Sequence, residues 1–240
     1  MKNNLITFKK PKSSVSEAYR MLRTNLHYIE IDKEDKLIVI TSANMSEGKT
    51  STLCNLAITM VNSGKKVLLV DCDLRKPKVH KYFDIKNEIG IVNILVEGIF
   101  AESVMSEIDK VPNLHIVPSG PLPPNPSEIL GSEAMKNLIS KLKMEFDVIL
   151  FDAPPICSVT DAALLSKIAD GVILVVESGK TNVESAKLAK KLLRKVGANI
   201  LGVVLTKVDK SKSGSAYYYN DDYYGSNENK KQRNKLQPVN

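Results

Sequence analysis

Aromatic residues are scarce in this chain: its 240 residues include no tryptophan, and the aromatic share is only 5%. A hydrophobic core must therefore be built from aliphatic side chains, and the chain is long enough for one domain of ordinary size. Long apolar runs are also missing, since no stretch reaches the roughly 18 residues of a membrane-spanning helix and no signal-peptide core follows Met1. We therefore expect no membrane-spanning segment and a cytoplasmic location.

Cysteine is scarce as well, with only Cys54, Cys72 and Cys157. Their positions do not follow the spacing of metal-binding motifs, and an odd number within apolar segments is typical of reduced, buried thiols. Basic residues outnumber acidic ones, which gives a formal net charge of +7. This charge favours anionic partners such as a nucleotide, a nucleic acid or an acidic membrane, although a solvated basic surface explains it equally well.

A phosphate-binding motif is indicated between residues 41 and 51. An apolar run at 37–40 precedes it, Gly48-Lys49-Thr50 lies near its end, and apolar residues at helical spacing follow. In this context backbone N–H groups and a helix N-terminus surround phosphate, Lys49 reaches the β- and γ-phosphates, and the Thr50 hydroxyl binds Mg²⁺. Ala43 stands where the usual motif has its first glycine. The alternative interpretation of Gly48-Lys49-Thr50 is a chance match in a surface loop. The predicted nucleotide-binding residues are Asn44, Met45, Ser46, Glu47, Gly48, Lys49, Thr50 and Ser51.

Carboxylates follow two other apolar runs. Asp71 and Asp73 come directly after the run 67–70, and Asp152 ends the run 148–151. Because open α/β sheets bind ligands at the carboxyl ends of their parallel strands, we expect these side chains beside the phosphate loop. Asp152 is placed to hold Mg²⁺ through water, and the Asp71–Asp73 pair suits Mg²⁺ chemistry or proton abstraction. A turn that caps the next helix is the alternative interpretation of that pair.

Strand-like runs alternate with helical patterns along most of the chain. This alternation predicts an α/β fold of the P-loop NTPase class, with a doubly wound, mostly parallel sheet flanked by helices. The predicted organisation is a mobile N-terminal arm over 1–14, a P-loop domain over 15–208 that begins with a helix at about 15–30, and a disordered, tyrosine-rich tail over 209–240.

The N-terminal helix carries Glu17, Arg20 and Arg23 at intervals of three residues, so these side chains lie along one face. Intrahelical pairs on a wet surface explain the pattern, and spacing alone favours that interpretation. A charged contact with another subunit is the alternative.

Tyrosines cluster near the C-terminus, where apolar periodicity has stopped. Five of the eight tyrosines lie there beside Asp221 and Asp222, and they are Tyr217, Tyr218, Tyr219, Tyr223 and Tyr224. No neighbouring apolar pattern predicts their burial, so we interpret them as phenol hydroxyls presented to another molecule.

Together these segments resemble the bacterial tyrosine kinases of capsule and exopolysaccharide biosynthesis, from about Ser16 to Tyr224. The matching pieces are Glu17-x-x-Arg20-x-x-Arg23-Thr24-Asn25, Gly48-Lys49-Thr50, Val70-Asp71-x-Asp73-x-Arg75-x-Pro77, Pro118-Ser119-Gly120 with Pro123-Pro124-Asn125-Pro126, and Phe151-Asp152-Ala153-Pro154-Pro155. The sequence is similar to the free-standing cytoplasmic form of the family. It departs from the family at Asn44-Met45-Ser46, which has neither proline nor extra glycine, so we expect a stiffer loop.

The resemblance implies an enzyme that transfers the γ-phosphoryl group of ATP to tyrosine, with Mg²⁺ as cofactor. Lys49 would stabilise charge on the phosphates, and Asp71 would take the phenol proton. Mg²⁺ would be held by Thr50, Asp73 and Asp152. The five tail tyrosines would be phosphoacceptors that are modified between subunits.

The resemblance also implies partners. These are a membrane adaptor whose cytoplasmic end recruits the kinase to the inner face of the cell membrane and activates it, a cognate tyrosine phosphatase and protein substrates, but no nucleic acid. Subunits would form a ring that dissociates on phosphorylation. In the family the Glu-x-x-Arg-x-x-Arg helix makes the ring contact, which reverses the preference for surface pairs at Glu17, Arg20 and Arg23.

Three other classes of protein share parts of the pattern. A partition or division-site ATPase has the same fold, but it usually carries a second lysine early in the loop, where this chain has Ala43-Asn44-Met45, and it has no tyrosine tail. A GTPase switch is favoured only by Thr206-Lys207-Val208-Asp209, whose first position differs from the guanine-reading element. The third alternative is a nucleotide-dependent scaffold without phosphoryl transfer.

Overall fold

The apolar runs of the sequence form the strands of one central sheet. A computed structural model describes residues 5–29 and 37–209. The strands in these residues are β1 Leu37–Ser42, β2 Val67–Asp71, β3 Ser106–Glu107, β4 Leu114–Val117, β5 Val148–Asp152, β6 Gly171–Glu177 and β7 Ile200–Thr206. Their order across the sheet is β3-β4-β2-β5-β1-β6-β7, and only the short β3 is antiparallel to its neighbour. The mostly parallel sheet predicted from the sequence is confirmed.

Helices connect the strands and cover both faces of the sheet. Within the described residues they are α1 Ile6–Lys9, α2 Ser14–Ile29, α3 Lys49–Val61, α4 Val79–Phe83, α5 Ile91–Glu97, α6 Ala101–Val104, α7 Pro126–Leu130, α8 Glu133–Glu145, α9 Asp161–Ile168 and α10 Val183–Lys195. Side-chain caps begin several of them: Ser132 accepts from the N–H of Met135 at the start of α8, and Asn182 accepts from the N–H of Ser185 at the start of α10.

Two hydrophobic clusters, one on each face, hold these layers together. Along β1, Leu37 and Val39 belong to the cluster formed with α5 to α10, whereas Ile38 and Ile40 belong to the cluster formed with α1 to α4. Because successive side chains of a strand point to opposite faces, a continuous apolar run is what a sheet covered on both sides requires. The core is largely aliphatic, as the scarcity of aromatic residues predicts.

The N-terminal segment differs from its prediction. A mobile arm was expected over residues 1–14, but residues 5–14 are ordered against the domain. Leu5 is fully buried, and Thr7 donates from its N–H to Asn55 Oδ1 at 3.0 Å and from its hydroxyl to the same oxygen at 2.9 Å. Three apolar residues within positions 5–8 are too few to show a period, so the sequence pattern did not indicate this docking. Residues 1–4 lie outside the described part of the chain.

Two short elements were also missed. The two-residue strand β3 precedes β4, and α7 begins at the last proline of the proline-rich segment 118–126. Pro126 occupies the first position of α7, where proline is tolerated because no backbone N–H is needed there. Residues 210–240 lie outside the described residues, so the prediction of a disordered tail is not examined by the structure. Within the described residues, no helix is both long and apolar enough to cross a membrane.

Candidate active site

The phosphate-binding loop connects β1 to α3. It spans residues 43–48, and two of its residues have left-handed backbone conformations, Ser46 with φ 65° and Gly48 with φ 96°. A methyl group at Gly48 would also approach Thr206 Cγ2 to 3.3 Å, so both conformation and space favour glycine here. Helix α3 begins at Lys49, and its free N–H groups therefore face the loop.

Glu47 holds this loop to two distant segments. One carboxylate oxygen accepts the N–H of Asn44 at 2.9 Å, and the other accepts the Asn44 side-chain amide at 3.0 Å and the Thr181 hydroxyl at 2.6 Å. The Glu47 carbonyl oxygen accepts the Thr206 hydroxyl at 2.6 Å. The side chain of Glu47 thus shapes the loop, and its contact with a nucleotide stays a prediction. Thr181 is a site residue that sequence reasoning missed.

Lys49 lies between two carboxylates from different strands. Its Nζ is 2.8 Å from Asp73 Oδ2 and 3.3 Å from Asp152 Oδ1, and the Thr50 hydroxyl donates to Asp152 Oδ2 at 2.6 Å. All four side chains are buried. Burial alone would lower the pKa of Lys49, but the charges of Asp152 and Asp73 outweigh burial and raise its pKa, so the ammonium stays charged. The structure thus brings together four residues that the sequence singled out separately.

Asp71 lies deeper in the same cluster. It is paired in register with Asp152 across the neighbouring strands β2 and β5. Its carboxylate accepts the N–H groups of Lys78 and Val79, both at 2.9 Å, and of Asp73 at 3.2 Å. Burial and the charge of Asp152 raise the pKa of Asp71 to about 7. These contacts cap α4, as the alternative interpretation of the sequence suggested, and the role of Asp71 as a base stays a prediction.

The side chains around Lys49 suit a hard divalent cation. Thr50, Asp73 and Asp152 offer only oxygen ligands, which Mg²⁺ prefers, and their close approach around the Lys49 ammonium shows that this spot favours positive charge. Among the described residues, no group of three or more His, Cys, Asp or Glu side chains forms a complete metal cage. Mg²⁺ in nucleotide sites relies on few protein ligands together with water and phosphate oxygens.

A second ion pair borders the site. Arg75 donates from Nε to Asp161 Oδ2 at 2.9 Å and from Nη2 to Asp161 Oδ1 at 3.0 Å, and the Ser127 hydroxyl donates to the same carboxylate at 2.6 Å. Burial would raise the pKa of Asp161, but the hydrogen bonds from Arg75 and Ser127 lower it. This pair ties the segment after β2 to the first turn of α9. The sequence carries no local signal for this pair, since Arg75 and Asp161 lie 86 positions apart.

The residues predicted for a subunit contact are engaged within their own chain. Arg20 Nε donates to Glu17 at 2.8 Å, and Arg20 Nη1 donates to the Pro11 carbonyl at 2.7 Å. Arg23 donates to the carbonyl of Thr59, in α3, at 2.9 Å. The ring contact stays a prediction. The five tail tyrosines lie outside the described residues.

Comparison with known proteins agrees with this geometry. A family model described as an AAA domain matches residues 35–200. The chain is 41% identical to the tyrosine-protein kinase YwqD of Bacillus subtilis (strain 168), over 91% of this chain and 92% of the relative. It is 38% identical to the putative tyrosine-protein kinase CapB of Staphylococcus aureus, over 88% of this chain and 92% of that protein. The chain belongs to the bacterial tyrosine-protein kinase family. The resemblance found in the sequence is confirmed.

Solved structures from the kinase family share the fold over most of the chain. The chimerical protein CapA2B2 gives a TM-score of 0.83 at 37% identity and covers 88% of this chain and 92% of its own. The kinase domain of Escherichia coli tyrosine kinase ETK also gives 0.83, at 31% identity, over 90% of this chain and 84% of its own. The septum site-determining protein MinD of Pyrococcus horikoshii OT3, complexed with Mg-ADP, gives 0.60 at 24% identity over 71% and 69%, a likeness of fold alone. Family membership favours the kinase over the division-site ATPase.

Proposed function

We propose that this chain is an ATP-dependent protein tyrosine kinase. The observation that carries the proposal is the cluster at the start of α3, where Lys49 and Thr50 meet Asp73 and Asp152 in a member of the tyrosine-protein kinase family. Loop N–H groups and the N-terminus of α3 provide the kind of anion site that a nucleoside triphosphate requires. The two carboxylates supply charge for the cation that accompanies it.

The proposed transfer moves one phosphoryl group. The bond between the γ-phosphorus and its bridging oxygen breaks, a bond to the tyrosine oxygen forms, ADP leaves, and the phenol proton passes to Asp71. Lys49 turns from its carboxylates to the phosphates and stabilises the charge that develops there. Thr50, Asp73 and Asp152 would hold Mg²⁺, which would supply positive charge to the phosphates. Because the phenol pKa is near 10, only modest help from a base is needed.

The proposed acceptors are Tyr217, Tyr218, Tyr219, Tyr223 and Tyr224 of a neighbouring subunit in a ring. The partners follow from the same proposal: a membrane adaptor that recruits the enzyme to the inner face of the cell membrane, a cognate tyrosine phosphatase and further protein substrates. The cellular role would be control of capsular or exopolysaccharide synthesis and export. The support for these points is the family of the relatives and the tyrosine cluster of this sequence.

The decisive experiment measures phosphotyrosine after incubation with ATP and Mg²⁺. We expect the wild-type chain to label its tail and Lys49→Met to lose labelling, because the variant lacks the charge that faces the phosphates. Lys49 is buried between carboxylates, so each variant is first compared with wild type by circular dichroism and thermal unfolding. Lys65→Met, which removes an exposed lysine beyond the other end of α3, is the matched control and should label normally.

Labelling of folded Lys49→Met at the wild-type level would overturn the assignment of this loop as the phosphate site. Hydrolysis of ATP by the wild-type chain without any phosphotyrosine would favour a partition-type ATPase. Nucleotide binding without hydrolysis or transfer would favour a scaffold.

A further inference from the structure

An apolar groove of about 720 Å³ lies between α10 and β7. Val203 and Leu205 of β7 line it and are 60% and 54% exposed, and Val183 at the start of α10 is 66% exposed. Among the described strands, β7 is the last of the sheet and pairs only with β6. Proteins normally cover or blunt an apolar edge strand because it invites pairing with other chains. We therefore expect another segment or another protein to cover this groove.

The rim of the groove on the α10 side is basic. Lys187, Lys190 and Arg194 line it, and Lys187 is paired with Glu184 at 3.2 Å. Neither Lys190 nor Arg194 forms an ion pair with any residue in 5–29 or 37–209. Glu177 lies at the end of the groove nearest the phosphate loop, here called its upper end, and already forms salt bridges with Lys180 and Lys207. An occupant that combines apolar rings with negative charge would match these walls.

One segment of the same chain has this chemistry. Residues 217–224 read Tyr-Tyr-Tyr-Asn-Asp-Asp-Tyr-Tyr, with five aromatic rings, two carboxylates and no basic side chain. Two of the three acidic residues of 210–240 lie in this stretch, although that region as a whole is basic. Tyrosine buries a large ring and keeps a polar hydroxyl at its tip, which suits a groove that is open to water along one side.

The segment can reach the groove of its own chain. The last described residue, Asp209, follows the end of β7 closely, and Tyr217 comes eight residues later. Eight extended residues span about 26–29 Å, and a strand of seven residues such as β7 is about 23 Å long. The connection is thus long enough for residues 217–224 to run back along the whole length of β7.

We propose that residues 217–224 dock in the α10–β7 groove of their own chain and that phosphorylation strengthens this docking. The strengthening by phosphorylation rests on the proposed kinase function, whereas the docking itself does not. Each phosphate adds about −1.5 to −2 charges at neutral pH and three acceptor oxygens, and Lys190 and Arg194 provide the matching donors. Phosphorylated tails are then held on their own subunit and leave the neighbour's active site free for the next tail.

The upper end of the groove adjoins the phosphate loop. Thr181 and Leu205 line it, and Thr181 donates to Glu47 of the loop. Thr206, the residue after Leu205, donates to the Glu47 carbonyl. Docking therefore contacts the two segments that hold the loop in place.

Photo-crosslinking within the full-length chain tests the proposal. The photoreactive amino acid p-benzoylphenylalanine is introduced in place of Val203, and the chain is irradiated in phosphatase-treated form and after incubation with ATP and Mg²⁺. Peptides are identified by mass spectrometry, with mixed light and heavy nitrogen to separate crosslinks within a chain from those between chains. The same amino acid in place of Phe100, which is 80% exposed, serves as the position control.

We expect position 203 to crosslink to peptides that contain residues 217–224 of the same chain, with a higher yield after phosphorylation. Lys190→Glu with Arg194→Glu should lose most of that gain, as should 1 M salt, which shortens the Debye length to about 3 Å. Lys136→Glu with Lys141→Glu on α8 makes the same charge change on another helix and should keep the gain.

The docking is overturned if position 203 gives no tail crosslink in either form, gives only crosslinks between chains, or captures the tail no better than position 100. An unchanged yield in chains shown to carry phosphotyrosine would overturn the strengthening by phosphate. A chain that never acquires phosphotyrosine would instead contradict the proposed kinase activity, and the crosslink of the unmodified tail would still decide the docking.

Discussion

Two neighbouring residues store backbone strain beside the phosphate site. Ser46 and Lys207 both have left-handed conformations, with φ of 65° and 53°, although neither is glycine. The Lys207 ammonium donates to the Ser46 carbonyl at 3.0 Å, so the two strained positions support each other. Such strain persists only where the surroundings hold it, and it is commonly found at functional sites. The stiffer loop expected from the absence of extra glycine stays a prediction.

Replacing Ser46 by glycine tests this strain. Ser46→Gly should add entropy to the unfolded chain, which destabilises the fold, but it should also remove the strain of the left-handed conformation and so offset that loss. Met45→Gly should add the same kind of entropy without removing any strain. The free energies of unfolding of the two variants should therefore differ by about 1 kcal/mol, with Ser46→Gly the more stable. Urea titration of both proteins measures the difference. Equal stabilities would mean that position 46 carries no strain.

The Arg75–Asp161 pair gives a prediction that depends on pH. At neutral pH, Arg75→Met should lower the free energy of unfolding by about 1–2 kcal/mol, because a buried carboxylate loses its cation; the loss is moderate because the Arg75 side chain is 40% exposed. The pKa of Asp161 is lowered in the folded state, so its stabilisation is present above its ordinary pKa and is lost as pH falls through the lowered value.

The difference between Arg75→Met and wild type should therefore shrink as pH falls below about 4. A double-mutant cycle with Asp161→Asn isolates the pair, since the double variant should be more stable than the sum of the two single losses predicts. A difference that stays constant with pH would show that Arg75 acts through packing rather than through the charge of Asp161.

At the scale of the elements, the sequence predicted what its periodicity and motifs encode. Apolar runs predicted β1, β2 and β5, and Lys49, Asp73 and Asp152 were found because each stands at the end of such a run or shortly beyond it. Contacts between distant segments were not predictable from one sequence. Thr181 reaches Glu47 across 134 positions, and Arg75 reaches Asp161 across 86. No local pattern marks such pairs, and short elements such as α7 carry too few residues to show a period.

Helix α2 is the element that we expect to join subunits. Arg20→Ala should shift the mass measured by light scattering towards monomer if Arg20 contacts a neighbour, because removing one partner of a desolvated charge pair costs several kcal/mol. Arg23 is a poorer test because it also binds the Thr59 carbonyl of α3. Lys136→Ala is the matched control, since Lys136 pairs with Glu133 on α8 at the same helical spacing.

If Arg20 serves only its pair with Glu17 within the helix, Arg20→Ala should keep the wild-type mass at equal concentration. It should then cost only about 0.2–0.5 kcal/mol of stability, as exposed pairs of this spacing do.

At the scale of the whole molecule, the prediction concerns transfer between subunits. Lys49→Met, which cannot transfer phosphate, is mixed with an active chain whose five tail tyrosines are replaced by phenylalanine. We expect phosphotyrosine on the Lys49→Met chain, because its tail enters the active site of the other chain. Each chain incubated alone is the control and should stay unlabelled. If the mixture stays unlabelled while wild type labels itself, transfer occurs within one chain and a ring has no catalytic purpose.

The position of β1 in the sheet has a consequence for how the protein is made. Ile40, just before the phosphate loop, pairs in register with Asp152 of β5 and Ile173 of β6. Chains emerge from the ribosome N-terminus first, so the strand that carries the loop waits unpaired until more than half of the chain has followed. Closing such long loops is slow. The loop that we propose binds nucleotide is thus among the last parts to form, because β1 must first be enclosed between β5 and β6.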